Sequence, residues 1–314
     1  MKVQFALMGG LGNQLFQLAA ALKTAEDIQQ KVYLNPNLGH YRSNASGLPE
    51  LTSFNVPDNI IVLDKKFYSW WLGKLYGHRR RIFISPHGID KITAYRFLVN
   101  LVAELHTLLI LGKGGKIETI EEIGFQKLEL HQQDTIFLGY FQSFRFTDPF
   151  LETLKKLTTE EFRSAQDSYK DLARNSSPLV IHVRLGDYLL EDAFGVPNSN
   201  YYATAIENQM MTKLYDSIWL FSDDLEKALS FIPVKYRHLV KCVSEAQNSS
   251  AATLEIMRFG AGYIIGNSTF SWWGARLSHS LSPKVIAPEP WFKKMQEPKD
   301  IVPTDWLRIP AWVE

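Results

Sequence analysis

Short apolar runs alternate with longer amphipathic stretches along most of this chain. Val3–Met8 is apolar except for Gln4 and runs into a pair of glycines, which predicts a buried strand. From Asn13 to Ile28 the positions Leu15, Leu18, Ala19 and Leu22 share one helical face, and Lys31–Leu34 reads as the next strand. Strand, helix and strand in this order open a parallel sheet. Residues 35–130 are less regular. They hold a loop rich in Pro, Gly and Asn (35–59), a short strand at Ile60–Leu63, and an apolar helix around residue 100. Asn100, Glu104, His106 and Thr107 interrupt that last stretch, so it reads as a core helix and not as a membrane span. Thr135–Tyr140 predicts a strand, and Phe150–Ala173 one long helix with Lys and Glu on its wet face.

Asn175-Ser176-Ser177-Pro178 breaks the pattern and marks a domain boundary. Beyond it, strands at Leu179–Val183, Ser217–Phe221, Leu239–Val243, Gly262–Gly266 and Lys284–Ala287 alternate with helices at Tyr201–Leu214, Leu225–Phe231, Ala251–Phe259 and Phe270–Ser280. Such alternation gives a doubly wound sheet. The expected fold class is therefore α/β: two Rossmann-like domains, 1–174 and 175–314, with a ligand cleft between them.

Composition narrows the function. Apolar residues make up 46% of the 314 positions, enough for a sizeable core. Lys plus Arg number 34 against 33 for Asp plus Glu, so no global field favours nucleic acid, and none is expected as a partner. The lone cysteine, Cys242, excludes a disulfide framework and a multi-cysteine zinc site. No signal h-region precedes the first glycines, so a cytoplasmic location is expected. Eight tryptophans and thirteen tyrosines suit either sugar handling or a large aromatic core.

Four strings carry candidate chemistry, each at the end of an expected strand. Gly9-Gly10-Leu11-Gly12-Asn13-Gln14 precedes a helix, with Asn13 as the candidate N-cap. It serves either as a tight turn or as a ligand loop at a helix tip. Leu15 occupies the third-glycine position of a dinucleotide fingerprint, and no Gly-Lys-Ser/Thr follows. In Ile181-His182-Val183-Arg184-Leu185-Gly186-Asp187-Tyr188, strand alternation puts His182 and Arg184 on one face at the carboxyl end, and Gly186 lets Asp187 turn back to the same mouth. Arg184 suits a phosphate; the bland reading is an Arg–Asp pair that closes a loop. In Asn267-Ser268-Thr269-Phe270-Ser271 hydroxyl and backbone donors meet at a helix start, which makes either an anion site or ordinary capping. Trp272 and Trp273 fall inside that helix and read as core. Ser222-Asp223-Asp224 invites a metal, but adjacent side chains diverge and no third ligand is evident, so no metal is assigned; Asp224 can simply start the next helix.

Taken together, GGLGNQLFQ, HVRLGDY, FSDD and NSTFSWWGA, in this order across residues 9–275, resemble the alpha-1,2-fucosyltransferases, a family that includes bacterial O-antigen enzymes. The resemblance implies a GT-B-type fold, GDP-fucose as donor, no cofactor and no metal, and inversion at the sugar carbon. It implies that His182 and Arg184 hold the donor, Arg184 on the pyrophosphate, with Asn267, Ser268, Thr269, Phe270 and Ser271 assisting. Glu255 is the counterpart of an acidic guanosine contact. Leu185 stands where many members have a second arginine.

The expected reaction moves L-fucose to a hydroxyl of a glycan, the 2-OH of a terminal β-galactose on a free or lipid-linked oligosaccharide. Departing GDP gathers negative charge, which Arg184 and the Phe270 helix tip would stabilise, at ~3 kcal/mol per preorganised donor. Asp187 is the candidate base, with Glu191 and Asp192 in reserve. Gly10, Leu11, Gly12, Asn13 and Gln14 would serve the fucose or acceptor side from the first domain. Residues 65–84 hold six Lys/Arg, several aromatics and no acid. They suit a peripheral contact with the inner face of an anionic membrane, or a core-packing loop with a basic rim. A dinucleotide-dependent oxidoreductase and a non-catalytic carbohydrate-binding protein are the rival classes.

Overall fold

The computed structural model describes residues 1–66, 101, 105, 115–120, 124–130, 132–189, 191–245, 247–298 and 300–312. The chain divides into two compact units, Met1–Leu154 and Lys155–Glu314. The expected helix around residue 100 and the basic stretch beyond Lys66 lie outside the described residues.

In the first unit, strands β1 (Val3–Ala6), β2 (Val32–Asn35), β3 (Ile60–Val62), β4 (Lys116–Thr119) and β5 (Thr135–Leu138) form a sheet of order β3-β2-β1-β5-β4. Every pairing in it is parallel. β1 and β5 are buried along their whole length, as central parallel strands must be when both faces are covered. Helix α1 (Leu11–Ile28) follows β1. The edge strand β4 reads Lys-Ile-Glu-Thr, too polar and too short for hydrophobic pattern to reveal.

One long helix was expected over Phe150–Ala173. Instead α2 (Phe144–Thr147), α3 (Leu151–Lys155) and α4 (Arg163–Asn175) are separate. Thr159 ends the run: its hydroxyl accepts the Glu161 N–H at 3.2 Å, its carbonyl takes the Gln166 side-chain amide at 3.1 Å, and Phe162 adopts a left-handed φ of 52°. Side-chain bonds of this kind compete with helical ones. α4 belongs to the second unit, where Tyr169 packs edge-on against Trp219. The division therefore falls some twenty residues before the Asn175–Pro178 breaker, which is only the turn from α4 into β6.

In the second unit β6 (Pro178–Val183), β7 (Ser217–Ser222), β8 (Val240–Cys242), β9 (Gly262–Ile265), β10 (Lys284–Glu289) and β11 (Leu307–Pro310) form a second sheet, of order β11-β10-β9-β6-β7-β8. It too is parallel throughout. Helices α5 (Ser199–Thr212), α6 (Leu225–Leu229), α7 (Ser250–Met257) and α8 (Thr269–Arg276) connect its strands. The core gathers Leu179, Ile181, Val183, Ile218, Leu220 and Ile264 with Tyr201, Tyr202 and Ile206 of α5. Trp272 and Trp273 are fully buried, as core residues should be. β11, which contains a proline, was not expected.

Both sheets reverse direction beside a candidate motif. From β6 the second sheet extends through β7 to β8, then restarts on the other side of β6 with β9. The first sheet extends from β1 through β2 to β3, then resumes at its other edge with β4 and comes back to β1 through β5. In open α/β sheets ligands bind outside the carboxyl ends of the strands at such a switch point.

Candidate functional site

The loops after β6 and β9 leave the second sheet side by side, because His182 pairs in register with Ile265. Arg184 and Asn267 each sit two residues beyond that pair. Arg184 is 19% exposed. Its Nε and Nη2 donate to one oxygen of Asp187, at 3.1 and 2.6 Å, and its Nη1 lies 3.1 Å from Asp223 Oδ2. The expected convergence of Arg184 and Asp187 is present, and so is the pair that the bland reading foresaw. The second carboxylate was not foreseen. Asp223 comes from the FSDD string after β7, and its other oxygen accepts the Leu185 N–H at 2.9 Å. A Cβ on Gly186 would overlap Asp223 Oδ2, so glycine is what lets the turn close on that carboxylate. Asp224 caps α6 by accepting the Lys227 N–H at 3.0 Å. The adjacent aspartates thus have separate duties. Among the described residues no group of three or more His, Cys, Asp or Glu is placed to hold a metal ion.

His182 is buried beside Arg184. Burial, with the guanidinium nearby, pushes its imidazole down to about 3, so it is neutral at ordinary pH. Its Nδ1 has no hydrogen-bond partner among the described residues, and its ring centroid lies 5.9 Å from that of Phe270. Leu185 is buried in the core.

Asn267 is buried and donates its amide to the carbonyls of Phe194 and Gly195 at 2.8 and 3.1 Å. Tyr188 Oη reaches the Asn267 carbonyl at 3.4 Å and stacks on Phe194. Asn267 is therefore the latch that holds the loop carrying Arg184 and Asp187 against the start of α8; its buried Oδ1 has no partner among the described residues. Ser268 is the N-cap, accepting the Phe270 N–H at 3.3 Å, and Ser271 donates back to the Ser268 carbonyl at 3.1 Å. Both hydroxyls are committed within the chain. Thr269 and Phe270 are the partly exposed members of this string.

Glu255 lies on α7, buried. Burial opposes its charge, but His279 at 3.1 Å and Arg258 at 2.5 Å outweigh that and hold the carboxyl below the usual range. Arg258 is itself fully buried and also donates to the carbonyls of Leu277, Leu157 and Lys155. Of the reserve bases, Asp192 pairs with Lys293 at 3.0 Å and with Lys294, and Glu191 accepts the Phe194 N–H through its carbonyl.

In the first unit Gly9 has φ +72°, and a Cβ there would overlap Asn13. The N-cap of α1 is Gly10, not Asn13 as expected; no side chain caps it in the usual way. Instead Glu50 brings a buried carboxylate to the helix tip and accepts the Leu11 N–H at 2.6 Å. Gln14 is fully buried, donating to the carbonyls of Gly9 and Arg42 and accepting from Leu51 N. Asn13 accepts from Gln142 at 2.7 Å. Leu11 and Gly12 are buried as well, so Gly9, Gly10 and Asn13 are the partly exposed members of the motif. Gln17 spans the switch point, bonding Met8 and the Gly139 carbonyl.

Sequence reasoning missed Arg258 and Glu50, and considered Asp223 as a metal ligand and not as a partner of Arg184. The signal for Asp223 was its place directly after a strand, in the FSDD string.

Residues 116–310, more than half of the chain, match the profile of glycosyl transferase family 11. The chain belongs to that family. This family 11 glycosyltransferase is 26% identical to an alpha-1,2-colitosyltransferase of Escherichia coli, over 96% of this chain and 97% of the relative. It is 25% identical to the O-antigen biosynthesis glycosyltransferase WbnK of Escherichia coli, over 96% and 99%. The fucosyltransferase NodZ from Bradyrhizobium aligns with 87% of this chain and 92% of its own, at 14% identity and a TM-score of 0.49. Membership in a glycosyltransferase family removes the oxidoreductase rival. No helix among the described residues is long and apolar enough to cross a membrane.

Proposed function

We propose that this glycosyltransferase moves L-fucose from GDP-β-L-fucose, with inversion, to the 2-OH of a terminal β-galactose on a surface-polysaccharide precursor. The observation that carries this reading is Arg184 at the carboxyl end of β6, at the switch point of its sheet, next to the start of α8. A guanidinium and a helix tip together suit a diphosphate. The string match to alpha-1,2-fucosyltransferases supplies the sugar and the linkage, and the O-antigen relative the class of acceptor.

As the bond from the fucose carbon to the phosphate oxygen breaks, negative charge collects on GDP. Arg184 and the start of α8, at the Thr269 N–H, stabilise it. Glu255 is assigned to the guanine edge through Oε1, whose partner His279 is 42% exposed and can give way. His182, neutral and with an unpartnered Nδ1, is assigned to a donor hydroxyl. Asp187, once phosphate has taken its place on Arg184, takes the acceptor proton. Gly10 and Asn13 are assigned to the acceptor in the first unit: with Glu50 on the helix tip, that end repels phosphate but accepts sugar hydroxyls. Residues 65–84 are assigned a peripheral membrane contact, tested by liposome flotation with and without Arg79–Arg81.

The test is a donor screen over GDP-fucose, a GDP-linked colitosyl donor, other GDP-sugars and UDP-sugars, followed by an acceptor panel ending in β-galactose. Turnover with GDP-fucose and an α-1,2 product is expected. Preference for the colitosyl donor, which the named relative makes the second reading, would change the sugar and keep the site. Turnover with UDP-sugars alone would overturn the reading.

A further inference from the structure

Arg184 is held by two carboxylates of unlike character. Asp187 is 61% exposed, stands on the short helical turn Asp187–Leu189, and uses one oxygen for both of its contacts. Asp223 is 25% exposed, and its second oxygen is anchored on a backbone N–H of the turn that follows Arg184 itself. Gly186 leaves room for that anchoring and for nothing larger. One guanidinium between two carboxylates carries a net charge of −1, and a cluster of that sign repels a diphosphate. A diphosphate can take Arg184 only if one carboxylate leaves. The exposed, singly anchored one moves at least cost, since exposed ion pairs contribute little.

We infer that Asp223 is a positioning residue that keeps the Arg184 guanidinium aimed at the strand mouth, while Asp187 is the exchangeable partner that the diphosphate of the donor displaces. This rests on the donor reading above. It also couples donor binding to chemistry, because the displaced Asp187 becomes an uncommitted carboxylate at the moment when a base is needed.

The experiment is calorimetric titration of the whole chain with GDP, for wild type, Asp223→Asn, Gly186→Ala, Asp187→Asn, Arg184→Met and the Asp223→Asn/Arg184→Met double variant. Gly186→Ala keeps both charges but drives a methyl into Asp223, which separates position from charge. It also carries the test if Asp223→Asn fails to fold. Asp223→Asn and Gly186→Ala are each expected to weaken GDP binding by about tenfold, and the Asp223→Asn effect to fall below about twofold once Arg184 is already methionine. Asp187→Asn is expected to bind GDP as tightly as wild type or more tightly. In transfer assays the Asp223→Asn loss falls on donor KM more than on kcat. Wild-type binding by Gly186→Ala, an Asp223→Asn loss that persists undiminished beside Arg184→Met, or equal weakening by Asp187→Asn would each overturn the inference. GDP binding that Arg184→Met leaves untouched would instead overturn the donor contact itself. No binding by the wild type would remove the donor reading and this inference with it.

Discussion

Asp223 Oδ2 lies 3.1 Å from Arg184 Nη1, and Oδ1 of the same carboxylate accepts the N–H of Leu185. Two strings separated by more than thirty residues thus meet on one guanidinium, because β6 and β7 pair along their whole length, Val183 opposite Ser222. The contact makes Arg184 a rigid element instead of a long surface side chain. Rigidity is what electrostatic stabilisation of a departing group requires.

Arg184→Ala should abolish transfer, by about a hundredfold or more in kcat/KM. Its thermal midpoint should stay close to that of wild type, since Asp187 is exposed and contributes little to folding, and Asp223 keeps the Leu185 N–H as a partner. Arg184→Lys should not rescue, because one ammonium cannot meet Asp223 and a phosphate with the geometry of a fork. Steady-state kinetics beside a melting curve checks all three statements, and wild-type turnover by the alanine variant would refute the role.

Asp187→Asn should lower kcat by about a hundredfold if Asp187 removes the acceptor proton. An unchanged kcat would move the base elsewhere, to Glu191 first.

His182 makes folding sensitive to acid. Its folded value, about 3, lies below that of an unfolded histidine, so between the two the unfolded chain binds the extra proton. Stability is therefore complete above roughly pH 6.5 and falls as pH drops toward 3, by about 2 kcal/mol at pH 5. Urea unfolding of wild type and His182→Gln at pH 7 and pH 5 should show a smaller acid loss in the variant. Equal losses would mean that His182 is not the group responsible.

Arg258 links α7 to residues 155–157 and to the end of α8, and it compensates the buried charge of Glu255. Arg258→Met should cost about 3–5 kcal/mol, because it strands that carboxylate. Glu255→Gln should cost less and, if the guanine assignment holds, should weaken GDP more than ADP. Urea midpoints and nucleotide titrations measure the two effects separately.

Glu50 should stabilise α1. Glu50→Ala removes the acceptor of the Leu11 N–H and an anion at the positive helix end, at about 1–2 kcal/mol. A midpoint equal to wild type would show that water replaces the carboxylate without loss.

Much of the architecture followed from the sequence alone. The β1–α1–β2 opening, the alternation of strands and helices from β6 to β10, the burial of Trp272 and Trp273, and the meeting of Arg184 with Asp187 depend on local periodicity and on neighbours three residues apart. Such relations are set by backbone geometry and reach no further than a turn. What only the tertiary structure decided were the partners of polar groups across sequence distance: Asp223 on Arg184, Glu50 on the tip of α1, Asn267 on Phe194 and Gly195, and Arg258 under Glu255. It also decided that α4 joins the second unit. A buried polar group must find a partner, but hydrophobic pattern does not encode which of many distant carbonyls or carboxylates will lie within 3 Å. That choice belongs to strand order, and strand order exists only once both sheets have formed.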